Sequence, residues 1–242
     1  MSSSNPVLNS EAFKQARVYD GPVMTIDGTV NKTGLLLGTT VLSSIYAWQS
    51  LTLSGGLWIG VLLVGIVSAL ATYFKPDIAH ITAPIYCAAQ GLLIGTFSSL
   101  AEAKFPGIVI NALVLTFGIL GIMLTAYKSG YVRATPRLQR MLAFGFMAFF
   151  LLFIVSMVSR VFFNGAMASI FYSGTTGLII SLLIVALASF SLVMDFDQIE
   201  QGAREGLPKQ HEWLGAFGLM VTLIWLYFEI LRLLINLNSR KD

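Results

Sequence analysis

No charged residue occurs between Lys32 and Lys75, and most residues of that interval are apolar. Few folds accept such a stretch. A water-facing surface needs charge, and soluble domains carry roughly 25% charged residues, against 11% in this chain. Apolar runs bounded by charges recur along the sequence, and several reach the ~20 residues that a helix needs to span a bilayer. Inside lipid every backbone amide must be paired internally, which leaves helices or closed barrels. Barrel strands alternate in polarity, whereas these runs are continuous. The expected fold class is therefore all-α, a polytopic membrane protein of about seven transmembrane helices.

The charges set the expected spans. The first interval splits at Gln49–Gly56, a polar stretch with glycines that signals a turn, giving spans near Thr33–Trp48 and Leu57–Phe74. Further spans are expected near Ile81–Ala101, Pro106–Tyr127 with proline at the favoured first turn, Met141–Ser159, Thr176–Met194 and Trp213–Leu237. Residues 1–32 form a polar N-terminal segment, 33–237 the membrane domain and 238–242 a short polar tail. The N-terminal segment lacks the apolar core and small-residue cleavage site of a signal peptide. Gly34/Gly38 and Gly56/Gly60 are small-residue pairs at helical spacing. They suit close helix packing within one bundle, with a homo-oligomer interface as the alternative.

Orientation follows the loop cations. A cytoplasmic N-terminus puts Lys14, Arg17, Lys32, Lys75, Lys128, Arg133, Arg137, Arg140, Arg204 and Lys209 inside, and Lys104, Arg160, Arg240 and Lys241 outside. The loop Lys128–Arg140 dominates that asymmetry. No basic block with interleaved aromatics is present, so nucleic acid is not an expected partner. The single cysteine, Cys87, lies in an apolar run and reads as a small core residue. No H-E-x-x-H or G-x-S-x-G occurs, and His80 and His211 are isolated, so the chain reads as a non-enzyme without a cofactor.

Ionisable groups in a membrane helix cost ~2.5–3.5 kcal/mol at its centre and face a partner or a water-filled cavity. The candidates are Asp195 and Asp197 at the end of the sixth span, and Glu229 and Arg232 in the seventh. Glu229 and Arg232 share a helix face and can pair with each other. Asp195 is the other partner open to Glu229 if the two helices are neighbours. Asp197 reads as a solvated acid at a helix end, with a secondary role open. Two carboxyls brought together in a low-dielectric site cannot both ionise cheaply, so they would share a proton. Deprotonated, they would attract a hard cation such as calcium, which prefers oxygen ligands. If Asp195 and Glu229 form such a pair, its chemistry suits a proton-gated cation pathway, with the two acids as transient calcium ligands.

Three stretches carry a resemblance to a known family: Met24-Thr25-Ile26-Asp27-Gly28-Thr29-Val30-Asn31-Lys32-Thr33, Met194-Asp195-Phe196-Asp197-Gln198-Ile199 and Leu226-Tyr227-Phe228-Glu229-Ile230-Leu231-Arg232-Leu233-Leu234. The chain resembles the Bax inhibitor-1 family of membrane proteins, also called the transmembrane Bax-inhibitor-motif family, and looks closest to its bacterial branch. The resemblance implies a bundle with the last helix in the middle. It also implies a pH-regulated calcium leak channel gated by acids of the sixth and seventh helices, here Asp195 and Glu229, in a bacterial inner membrane. A proton-coupled solute transporter, or a scaffold that modulates a membrane-protein partner, are the alternatives. The family uses basic residues to latch a closed state, and no basic residue lies mid-membrane in the second helix. Asp195 and Glu229 are 34 positions apart. They reach one level only if the sixth helix runs on to about Gly206 and Gly215–Gly218 breaks the start of the seventh.

Overall fold

The computed structural model describes residues 21–50, 55–162 and 174–239. Residues 51–54 of the expected first turn, and Lys14, Arg17, Arg240 and Lys241 of the charge asymmetry, lie outside them. Seven α-helices fill the described chain: α1 Ile26–Ser50, α2 Gly55–Phe74, α3 Ala79–Lys104, α4 Ile108–Lys128, α5 Pro136–Phe162, α6 Gly174–Arg204 and α7 His211–Asn238. A short 3-10 turn, Pro76–Ile78, leads into α3. Each expected span has its helix, extended by a few residues at most ends.

Two boundaries differ for identifiable reasons. α4 starts after Pro106, because Gly107 adopts the left-handed conformation with φ 84°. Glu102 of α3 then accepts the backbone N–H of Gly107 at 2.5 Å and of Val109 at 3.0 Å. Its carboxylate satisfies donors that a helix start leaves unpaired. α6 runs ten residues past the expected Met194, to Arg204. Its polar end sustains itself through contacts one turn apart, Gln201 to Asp197 and Arg204 to Glu200. It stops at Gly206, which takes φ 67°.

α7 is the axis of the bundle. It packs on α1, α2, α3, α4 and α6, and its Trp225 ring meets those of Phe146 and Phe149 of α5 at a tilt, with centroids 5.4 and 5.6 Å away. Met220, Leu226 and Ile230 are almost wholly buried. Tyr86 of α3 meets Phe217 edge-on at 5.1 Å. The Tyr227 hydroxyl, buried at mid-helix, is satisfied by Ser98 at 2.6 Å. Large apolar side chains also cover the outer faces, as with Leu63 and Val67 on α2 and Met147 and Phe150 on α5. An exterior of that kind suits lipid.

Among the described residues, five segments are long and apolar enough to cross a membrane: Pro76–Lys104, Ile108–Lys128, Pro136–Ser159, Thr175–Arg204 and His211–Asn238, with Ile59–Phe74 apolar but shorter. α1 is the least apolar. Its hydroxyls are folded onto its own backbone, with Thr29, Thr33, Thr39, Thr40 and Ser43 each donating to the carbonyl four residues earlier. That habit hides polarity without a partner from another helix.

The expected close approach at Gly34/Gly38, and at Gly60 of the Gly56/Gly60 pair, does not occur within the bundle, and the surroundings of Gly56 lie outside what the structure describes. A Cβ added at Gly34, Gly38 or Gly60 would meet nothing within 4 Å. The tight crossing lies instead between α1 and α3 at Gly91 and Gly95. A Cβ there would fall 2.4 Å from the Thr40 carbonyl oxygen and 2.2 Å from that of Ser44. The expected pairs were chosen by spacing, and spacing does not say which helix face meets a neighbour. Gly95→Ala should therefore destabilise the bundle by roughly 1–3 kcal/mol, as overpacking does, whereas Gly34→Ala and Gly38→Ala should change it by less than about 1 kcal/mol. Thermal unfolding of the detergent-solubilised protein tests both.

Candidate functional site

α6 and α7 are neighbours that run in opposite directions, joined by residues 205–210. Where α6 ends and α7 begins, a cavity of about 280 Å³ enters the bundle between them. Gln198, Gln201, Glu205 and His211 supply polar lining, and Met24, Ile199, Leu207 and Leu214 supply apolar walls. Asp195 also lines it. Its Oδ2 is buried and has no hydrogen-bond partner among the described residues. The Thr222 hydroxyl of α7 bears on the carboxylate, while its own proton goes to the Gly218 carbonyl at 3.3 Å. Gly218 faces the same cavity and has space where a side chain would stand. A buried carboxylate oxygen without a donor is costly, and a cavity supplies what can relieve it: a proton, a cation or water.

Glu229 lies elsewhere. It is buried and forms an ion pair with Arg232 at 2.7 Å, one turn along the same helix. α7 continues unbroken through Gly215 and Gly218. Gly215 serves packing instead. A Cβ there would stand 3.1 Å from Ile199 and 3.3 Å from Thr29. Thr222, the level of Asp195, precedes Glu229 by seven residues, or ~10 Å of helix rise. α6 meets its half of the geometric condition and α7 does not, so the structure holds Asp195 and Glu229 on two levels. No hydrogen bond or ion pair joins them among the described residues.

Asp197 is held inside a cluster rather than simply solvated. The Tyr127 hydroxyl of α4 donates to Glu200 and approaches Asp197 at 3.4 Å, and Gln201 and Arg204 complete the group. These groups tie α4 to the end of α6.

The most buried acid was not among the expected site residues. Glu212, in the first turn of α7, is 1% exposed. It accepts hydrogen bonds from the Thr25 backbone N–H and hydroxyl, both at 3.0 Å, and forms an ion pair with Lys32. Lys32 also sits over the Trp213 ring at 5.5 Å. Gly28 makes room, since a Cβ there would fall 2.3 Å from the Glu212 carboxylate. Thr25 caps α1 through the Gly28 N–H at 3.0 Å. A signal was present in the sequence: Thr25, Gly28 and Lys32 follow helical spacing on one face. The acid they hold lies 180 residues from Lys32, and a single sequence does not announce such a pairing.

No group of three or more His, Cys, Asp or Glu among the described residues is placed to hold a metal ion. A family model described as Bax inhibitor 1 like matches residues 5–239. The chain belongs to that family. The match takes in all seven helices and the three stretches that carried the resemblance. No curated protein and no solved structure matches this Bax inhibitor 1 like protein. As an integral membrane protein with α7 at its centre, it depends on the partners of the charges that α7 carries. Removing one member of a buried pair costs roughly 3–5 kcal/mol. Glu212→Ala and Lys32→Ala should each lose that order of stability in reversible unfolding, while Glu205→Ala, at an exposed position, should stay within about 0.5 kcal/mol.

Proposed function

We propose that this Bax inhibitor 1 like protein is a pH-regulated calcium leak channel of a bacterial inner membrane, with its N-terminus in the cytoplasm. Asp195 and Glu229 serve as its proton-sensing residues. The observation that carries this reading is the cavity that reaches a buried, unpartnered carboxylate oxygen on Asp195. A carboxylate of that kind takes a proton or a hard cation, so the two compete for one position. On this reading calcium is cargo, held briefly by Asp195 beside the Gln198 and Gln201 amides of the cavity.

The two acids act in series in this proposal. Asp195 stands at the inner limit of the cavity. Glu229, paired with Arg232 about two turns further along α7, controls the next segment of the path. Calcium meets Glu229 once Arg232 has moved aside or Glu229 has exchanged its partner. The offset between the acids thus replaces one shared proton by two successive barriers.

A proton-coupled solute carrier is the second reading. The cavity volume of about 280 Å³ favours it, because a bare ion does not fill such a space. A carrier would move protons in proportion to a transported solute, whereas a leak passes calcium down its gradient without one.

The test is calcium flux into proteoliposomes of the purified protein across pH ~5–8, where a perturbed carboxyl titrates. The wild type should conduct with a clear pH dependence. Asp195→Asn and Glu229→Gln should each remove most of that dependence. Absence of flux, or unchanged pH dependence in both variants, would refute the assignment.

A further inference from the structure

We propose that residues 22–32 form a strap that closes the Asp195 cavity, with Met24 as its wedge and the buried Glu212 as its anchor. Before α1 the chain lies along the α6–α7 connection. Val23 forms an antiparallel bridge with Pro208, the Met24 N–H donates to the Leu207 carbonyl at 2.7 Å, and the Lys209 N–H donates to the Pro22 carbonyl at 2.9 Å.

These backbone bonds drive Met24 between α6 and α7. Its side chain is 4% exposed. Its sulfur lies 2.9 Å from where a Gly202 Cβ would stand, and its terminal methyl lies 3.4 Å from the equivalent point at Gly215. One glycine is on each helix, and both line the cavity. A flexible thioether in a slot made by two glycines fills it without locking it. Directly behind Met24, Thr25 and Lys32 bind Glu212. The same segment therefore walls the cavity and grips the first turn of the central helix. When the grip is lost, Met24 leaves its slot and the cavity widens toward Asp195. This holds whether or not calcium is the species that passes.

Carboxyl labelling of the reconstituted full-length protein tests the strap. A water-soluble carbodiimide with an amine nucleophile is added, and mass spectrometry reads Asp195, with Glu205 as the exposed reference and Glu229 as the buried one. In the parent protein Asp195 should label far more slowly than Glu205. Met24→Ala and Glu212→Gln should each raise Asp195 labelling at least about fivefold, as local opening does, while Glu229 stays protected. A Met24→Cys/Gly202→Cys pair, placed where the Met24 sulfur lies 2.9 Å from the position of a Gly202 Cβ, should form a disulfide. Once oxidised, it should hold Asp195 labelling at the parent level even with Glu212→Gln present, and a reducing agent should restore the increase. Should Glu212→Gln also expose Glu229, the variant has unfolded, and Met24→Ala and the disulfide decide. Fast Asp195 labelling in the parent, no rise with Met24→Ala, or no effect of the oxidised disulfide would each overturn the strap.

Discussion

A charge taken into a helical bundle in lipid must find a partner within reach, and the central helix α7 carries three such charges. Glu212 takes Lys32 and Thr25 from the start of α1. Glu229 takes Arg232 from its own helix. Those two solutions have different consequences. A partner one turn away fixes nothing beyond the local side chains. A partner on α1 fixes the foot of α7 against the N-terminal strap, and with it the register of the axis around which the other helices pack. Replacing such a buried pair by apolar residues need not weaken a protein, so its retention here points to placement rather than to stability alone.

The unbroken course of α7 decides how the acids are arranged. A break at Gly215–Gly218 would have shortened the path from the foot of the helix and brought Glu229 down to Asp195. Instead Gly215 is buried in packing against Ile199 and Thr29, and the helix keeps its full rise. Asp195 is left opposite Gly218 and Thr222, at the end of a cavity, with one carboxylate oxygen unpartnered. The two acids therefore have different surroundings, Asp195 on a cavity and Glu229 in an ion pair on its own helix.

Much of the fold was legible because the driving pattern is crude and strong. Charges at Lys75, Lys104 and Lys128 bound apolar runs, and the helices end at or beside those limits. The pairing of Glu229 with Arg232 was equally legible, being a three-residue spacing on one helix. What escaped was whatever depends on the azimuth of a helix or on distant contact. Gly34 and Gly38 have the right spacing for close packing and face outward, while Gly91 and Gly95, with the same spacing, form the crossing. Glu212 reads as an ordinary first-turn acid until Lys32 is seen beside it. Asp197 reads as solvated until Tyr127 of α4 arrives. Hydropathy alone stops the sixth span at Met194, since it marks where lipid ends and not where a helix ends, and only the need to bring Asp195 level with Glu229 raised its extension toward Gly206.

The register between α6 and α7 underlies the cavity, the two-level acids and the seat of the strap, and paired cysteines measure it directly. Disulfides form only when the Cα atoms lie within about 7 Å. With Cys87 replaced by serine, Asp195→Cys/Thr222→Cys should cross-link under mild oxidation in the membrane, and Asp195→Cys/Glu229→Cys should not. Ready cross-linking of the 195/229 pair, with the 195/222 pair remaining reduced, would place the acids on one level and contradict the arrangement described above.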